Sequence, residues 1–150
     1  MPNRRAELLE AATAFCEAFA SQQPAAALLE HFAPSDDDVV VLEHGLPALA
    51  PFLGREYRGR DGAARYLADV SACVAFRDMR FGEYAVDAEA GRVAVRGSAT
   101  FTWKSTGQGW EEVFAYLLAF DGDRKVVRYE IWADSGAAYL ASQGKLAEAT

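Results

Sequence analysis

Few residues in this chain are equipped to move a proton. His44 follows the apolar run Val39–Leu42 by two positions and precedes Gly45. An imidazole titrates near neutrality, so His44 could serve as general base or hydrogen-bond donor at a pocket mouth. The alternative is a histidine bonded to backbone that orders the loop. His31 closes a helical stretch and is read as a C-terminal helix residue favoured by the helix dipole. Tyr57, Tyr66, Phe101, Trp103, Tyr116 and Tyr129 lean to one side by strand parity or helical stripe. They would line a pocket for a planar or aliphatic ligand, the tyrosines and the tryptophan offering polar tips. Equally, they could be core aromatics whose polar atoms find backbone partners.

The carboxylates offer less. Glu112 shares parity with Phe114 and Tyr116, but its nearness to the turn at Gly107–Gly109 predicts exposure. Glu130 falls with Arg128 and Trp132, which places it on the outer face in an ion pair. Asp134 precedes Ser135-Gly136 and reads as the cap of a short helix over Ala137–Ser142. The inward positions of the last strand are expected to be Val127, Tyr129, Ile131 and Ala133. Cys16 and Cys73 lie on helical patterns and read as buried, reduced thiols, with no zinc spacing. No Ser-His-Asp order, phosphate loop or metal cluster stands out.

The elements that must position these groups follow from hydrophobic period. Leu8, Leu9, Ala12, Phe15, Cys16 and Phe19 recur at three and four over Arg4–Ser21, one stripe of a helix. Pro24 cannot continue that helix but suits the start of a second over Ala25–Phe32. The cluster Pro34-Ser35-Asp36-Asp37-Asp38 predicts a turn, and Val39–Glu43 a buried strand. Gly45–Arg60 reads as an ordered loop, with too many apolar residues to be left in water. Asp61 would cap a third helix over Gly62–Ala75.

The second half changes period. Met79–Asp87, Arg92–Lys104, Trp110–Asp121 and Lys125–Ala133 are extended runs separated by short turn signals, which predicts an antiparallel meander. In the second run Val93, Val95, Ala99, Phe101 and Trp103 alternate with polar residues, the pattern of a half-buried strand. The third run is apolar on both faces. One face would meet the helices, and the other a second copy of the chain in a homodimer.

At 150 residues the chain suits a single domain spanning 1–150. A formal charge of −7 with dispersed basic residues argues against nucleic acid or an anionic membrane as partner. No apolar run reaches the roughly 20 residues of a membrane span. The start, Met1-Pro2-Asn3-Arg4-Arg5, leads into acidic residues rather than an apolar block, which predicts a cytoplasmic protein.

Three segments carry a family resemblance: the amphipathic opener ending near Phe19, the stretch Tyr57-Arg58-Gly59-Arg60-Asp61-Gly62 leading into a helix, and the closing stretch from Gly122 to Asp134. Their order resembles the nuclear transport factor 2-like superfamily and, within it, the SnoaL-like polyketide-cyclase branch. The resemblance implies an α+β, cystatin-like cone, with N-terminal helices packed on a curved antiparallel sheet around an apolar pocket. It also implies chemistry of the isomerase, cyclase or hydratase kind on a small hydrophobic molecule, without a cofactor. His44 is then the expected proton mover, with Tyr57, Trp103, Tyr116 or Tyr129 as orienting donors. An Asp-Arg-Asp set of the epoxide-hydrolase kind is not evident. Two alternatives stay open: a binding module with no reaction, and a dimerisation module with a filled core. A fold does not dictate its chemistry.

Overall fold

The computed structural model describes residues 3–34 and 38–149, so Ser35, Asp36 and Asp37 of the expected turn lie outside the described residues. The chain runs α1 (Arg4–Ala20), α2 (Ala25–Leu29), β1 (Val40–His44), a 3-10 turn at Pro47–Leu49, and β2 (Tyr57–Arg58). It continues through α3 (Gly59–Cys73), β3 (Val74–Asp87), β4 (Arg92–Trp103), β5 (Gly109–Phe120), β6 (Val126–Trp132) and α4 (Ser135–Ser142), and closes in a 3-10 turn at Leu146–Ala149. Helices pack on one face of an unclosed, curved sheet. Among the described residues no helix is long and apolar enough to cross a membrane.

The strands form one sheet in the order β2-β1-β6-β5-β4-β3. The meander β3 to β6 is antiparallel throughout, as the short turns require. β1 lies parallel to β6, pairing Val41 with Tyr129 and Glu43 with Ile131, a contact between segments nearly a whole domain apart in sequence. Curvature comes from β3. Its ladder with β4 slips between Arg77 and Arg80 and again between Gly82 and Ala85, and Asp78 and Glu83 take left-handed φ values of 55° and 56° at these slips. Such bulges bend a strand and raise its twist.

Several boundaries differ from those expected. α2 ends at Leu29 rather than Phe32, because Phe32 forms an isolated bridge to Val126, with Val126 N–H bonded to His31 O at 2.8 Å. Cations cover the carbonyls at its end: Arg60 donates twice to Leu29 O, at 3.1 and 2.8 Å, and Lys125 Nζ donates to Glu30 O at 2.9 Å. His31 is accordingly past the helix. Burial lowers its imidazole below the ordinary value, with the Lys125 charge adding to the fall and Glu30 opposing it.

α3 starts at Gly59, and its cap position is held by Arg58 without a side-chain bond; Asp61 sits in the first turn instead of capping. Gly62 is required there, since a Cβ would lie 2.8 Å from the carbonyl carbon of Tyr57. α3 runs straight into β3 at Val74 with no intervening loop, so the strand begins five residues before the expected Met79. Part of the expected loop Gly45–Arg60 is ordered as β2 on β1. Asp134 does cap α4, accepting Ala137 N–H at 2.9 Å.

The core is continuous from α1 to the sheet. Leu8, Ala12, Phe15, Cys16 and Phe19 are buried as the stripe predicts, whereas Leu9, also expected on it, is 39% exposed. Phe15 sits at the hub, with ring centroids 5.1 Å from both Phe19 and Tyr129 and 5.7 Å from Phe32. Cys16 is fully buried, and burial pushes its thiol up to about 12.

Candidate active site

Alternation decides which side chains meet the helices. In β5, Phe114, Tyr116, Leu118 and Phe120 are buried on the concave face, while Val113 and Ala115 are exposed on the other. In β1, Val41 and Glu43 share the concave face with their partners Tyr129 and Ile131. Between this face and the helices lies a cavity of about 440 Å³. Phe19 and Tyr66 bound it from the helices, and Phe101, Trp110, Tyr116 and Tyr129 bound it from the sheet. That is a volume suited to a small organic ligand.

Two carboxyl groups enter this apolar space. Glu43 is 9% exposed and accepts a hydrogen bond from the Tyr66 hydroxyl at 2.6 Å. Burial lifts its carboxyl from the ordinary 4.5 to about 7; the Tyr66 bond opposes the rise, and the nearby charge of Glu112 adds to it. Glu112 accepts from Trp110 Nε1 at 2.8 Å. Burial raises its carboxyl as well, with the Trp110 bond pulling the other way. Among the described residues neither carboxyl has a Lys, Arg or His nitrogen within 4.0 Å.

Tyrosine hydroxyls complete the polar lining. Tyr116 and Tyr129 meet edge to face at 4.8 Å. Burial drives both phenols well above their ordinary value, so they stay protonated as donors. Tyr66, also displaced upward by burial, stacks edge-on against Tyr129 at 6.1 Å. Rigid neighbouring rings thus hold the donors in place.

Of the residues expected at the site, Tyr66, Phe101, Tyr116 and Tyr129 lie on the cavity wall. Tyr57 and Trp103 stand behind it. Tyr57 donates to Asp69 at 2.6 Å and supports Tyr66 edge-on at 5.5 Å, while Trp103 Nε1 bonds Ser105 Oγ at 3.0 Å. His44 does not reach the cavity. As the residue after Glu43 it points to the opposite face, where it stacks on Trp132 at 4.3 Å and bonds Glu130 at 3.0 Å. Glu130 is on that outer face, hydrogen-bonded to His44 and in an ion pair with Arg128, as parity predicts.

Glu112 corrects the expectation of exposure: it is partly buried and inward, because Trp110 folds over it and α4 closes that end of the cavity. Glu43 is the residue that sequence reasoning missed. Its one signal is parity with Val39 and Val41, and the equally apolar Val40 and Leu42 obscure that signal. Among the described residues no group of three His, Cys, Asp or Glu side chains could hold a metal ion.

Helices capping one face of a curved, unclosed sheet define an α+β cone, here with carboxyl groups facing its aromatic cavity. Residues 12–137 match the family model described as the SnoaL-like domain, and the chain belongs to that family. No curated protein matches it. Among solved structures, it is similar to a Bacillus subtilis protein provisionally assigned as an isomerase (14% identity, TM-score 0.77, covering 95% of this chain and 97% of that one). It is also similar to an NTF2-like protein of unknown function from Burkholderia pseudomallei K96243 (18% identity, TM-score 0.76, 90% and 96% covered). A third is TerC co-crystallized with polyporic acid (20% identity, TM-score 0.74, 91% and 98% covered). At these identities the likeness speaks for the fold alone.

Proposed function

We propose that the chain binds a small, largely apolar carbonyl compound in the cavity and moves a proton on it, with Glu43 as the general base. The observation that carries this reading is the buried Glu43 carboxyl, placed among aromatic walls and raised to about 7. A base poised near neutrality is half ionised at working pH and returns its proton readily. In the ionised form it takes a proton from the carbon next to the carbonyl. The C–H electron pair becomes an enolate, and the same carboxylic acid gives the proton back, at that carbon or at another. The hydroxyls of Tyr116 and Tyr129, on the same cavity wall, would donate to the enolate oxygen. The provisional isomerase and the TerC complex among the neighbours support a small-molecule reading.

The test is α-proton exchange of 2-tetralone in D2O, followed by proton NMR. The wild-type chain is expected to accelerate the exchange, and Glu43→Gln to remove roughly 10²-fold or more of it, the scale of general-base catalysis. Exchange that is equally fast in Glu43→Gln overturns the assignment. Binding of tetralone with no exchange favours the second reading, a module that binds without reacting.

We further propose a homodimer through the outer sheet face. Val113 (56% exposed) and Trp132 (44%) give that face apolar surface, which supports association.

A further inference from the structure

We infer that the ligand carries a cationic nitrogen, an amine or quaternary ammonium on an otherwise apolar frame, which Glu112 anchors inside the aromatic cavity. The inference rests on the reading of the cavity as a ligand site and adds a charge to the ligand.

Three observations lead to it. First, the cavity wall includes Glu43, Glu112 and Asp134, the last engaged in capping α4, and among the described residues no cationic side chain lies within 4.0 Å of either glutamate carboxyl. The lysine on its wall, Lys104, is tied by Nζ to the Ser71 carbonyl. A buried carboxylate without a counter-charge is costly, and a cation on the ligand would supply what the chain does not. Second, the walls near both groups are ring faces and edges. Trp110 stacks with Phe101 at 5.7 Å and bonds Glu112, while Tyr66 bonds Glu43. Indole and phenol faces attract cations, most strongly where water is excluded. Third, the two carboxyls are not equivalent. Glu112 receives an N–H bond from Trp110, a donor that favours its charged form against the burial that raises it. Glu43 receives one hydroxyl, from Tyr66, and is the more deeply buried. The division of labour follows: Glu112 holds the cation while Glu43 stays free to exchange a proton.

The geometry therefore selects by charge as well as by shape, and a pair of probes of one shape reads this directly. 3-Hydroxyphenyltrimethylammonium and 3-tert-butylphenol differ only in the charged nitrogen. Calorimetric titration of the wild-type chain is expected to give the cation at least about tenfold tighter binding than its neutral twin, the size of a desolvated cation–π and charge contact. Glu112→Gln should bring the two to parity and leave 3-tert-butylphenol unchanged, which also reports that the cavity is intact. Equal or weaker binding of the cation overturns the inference, as does binding of neither probe at millimolar concentration. So does a preference for the cation that survives in Glu112→Gln. None of these outcomes touches the tetralone exchange, so a failure here and a failure of the proton-transfer reading can be told apart.

Discussion

The hydroxyl of Tyr66, on α3, lies 2.6 Å from the carboxylate of Glu43, on β1, and is its one hydrogen-bond donor among the described side chains. The bond joins helix to sheet across the floor of the cavity and partly offsets the burial that raises the acid. Tyr66→Phe removes the donor and keeps the ring. The Glu43 carboxyl should then titrate above its present value of about 7, because the opposing contribution is lost. Carbon-13 NMR titration of labelled glutamate carboxyls would show the shift, and the acid limb of the exchange rate should move to higher pH with it. Stability should fall by about 1–3 kcal/mol, the usual cost of losing a buried bond to an ionisable group.

Glu43 also sets a pH dependence of folding. Its folded-state carboxyl lies above the unfolded value, so the native state holds the proton more tightly. Its contribution is fully present below about 4.5 and is lost as pH rises toward about 7. A rise from 4.5 to about 7 corresponds to about 3 kcal/mol. Glu43→Gln cannot ionise. Denaturant unfolding at pH 4, 6 and 8 should show the variant gaining on the wild-type chain as pH rises and levelling off above neutrality. A constant difference across that range would mean that the acid is not shifted.

His44 belongs to the other face, and its loss should be local. Burial alone would raise the Glu130 carboxyl, but the bonds from Arg128 and His44 outweigh it and leave that group below its usual range. His44→Ala should let the Glu130 carboxyl drift upward and cost about 1 kcal/mol or less, as partly exposed ion pairs do. Tetralone exchange should not change. A large loss of exchange would return His44 to the proton-moving role that its position in the sequence suggested.

The outer face can be tested by charge. Val113→Arg places a guanidinium at the most exposed large apolar position of the sheet, with no contact to the cavity wall. Sedimentation equilibrium at micromolar concentration should show a dimer for the wild-type chain and a monomer for the variant, with tetralone exchange retained. A wild-type monomer at that concentration removes the dimer.

Local period carried most of the architecture. The stripe from Leu8 to Phe19, Leu9 excepted, appears as the buried face of α1, and the short turns at Gly91, Gly107 and Gly122 appear as the meander. Glu130 could be placed because Arg128 and Trp132 flank it on a strand with clean alternation. The errors fall where local signals were ambiguous or absent. β3 begins in the middle of an apparent helix end, since its two bulges break the alternation that would have marked it. Glu112 looked exposed because a nearby turn is a statement about backbone, and the cover it receives comes from Trp110 and from α4, far along the chain.

Periodicity in the chain therefore determined that there would be helices, a meander and an aromatic inner face, because each depends on neighbours a few residues apart. Which carboxyl enters the cavity was decided only in three dimensions. β1 is apolar on both sides, and its own residues do not say which side is in. The parallel pairing with β6, aligning Glu43 with Ile131 and His44 with Trp132, turned Glu43 inward and His44 outward. A strand's faces are equivalent until a distant partner chooses between them, and that choice separates a buried acid from a surface ion pair.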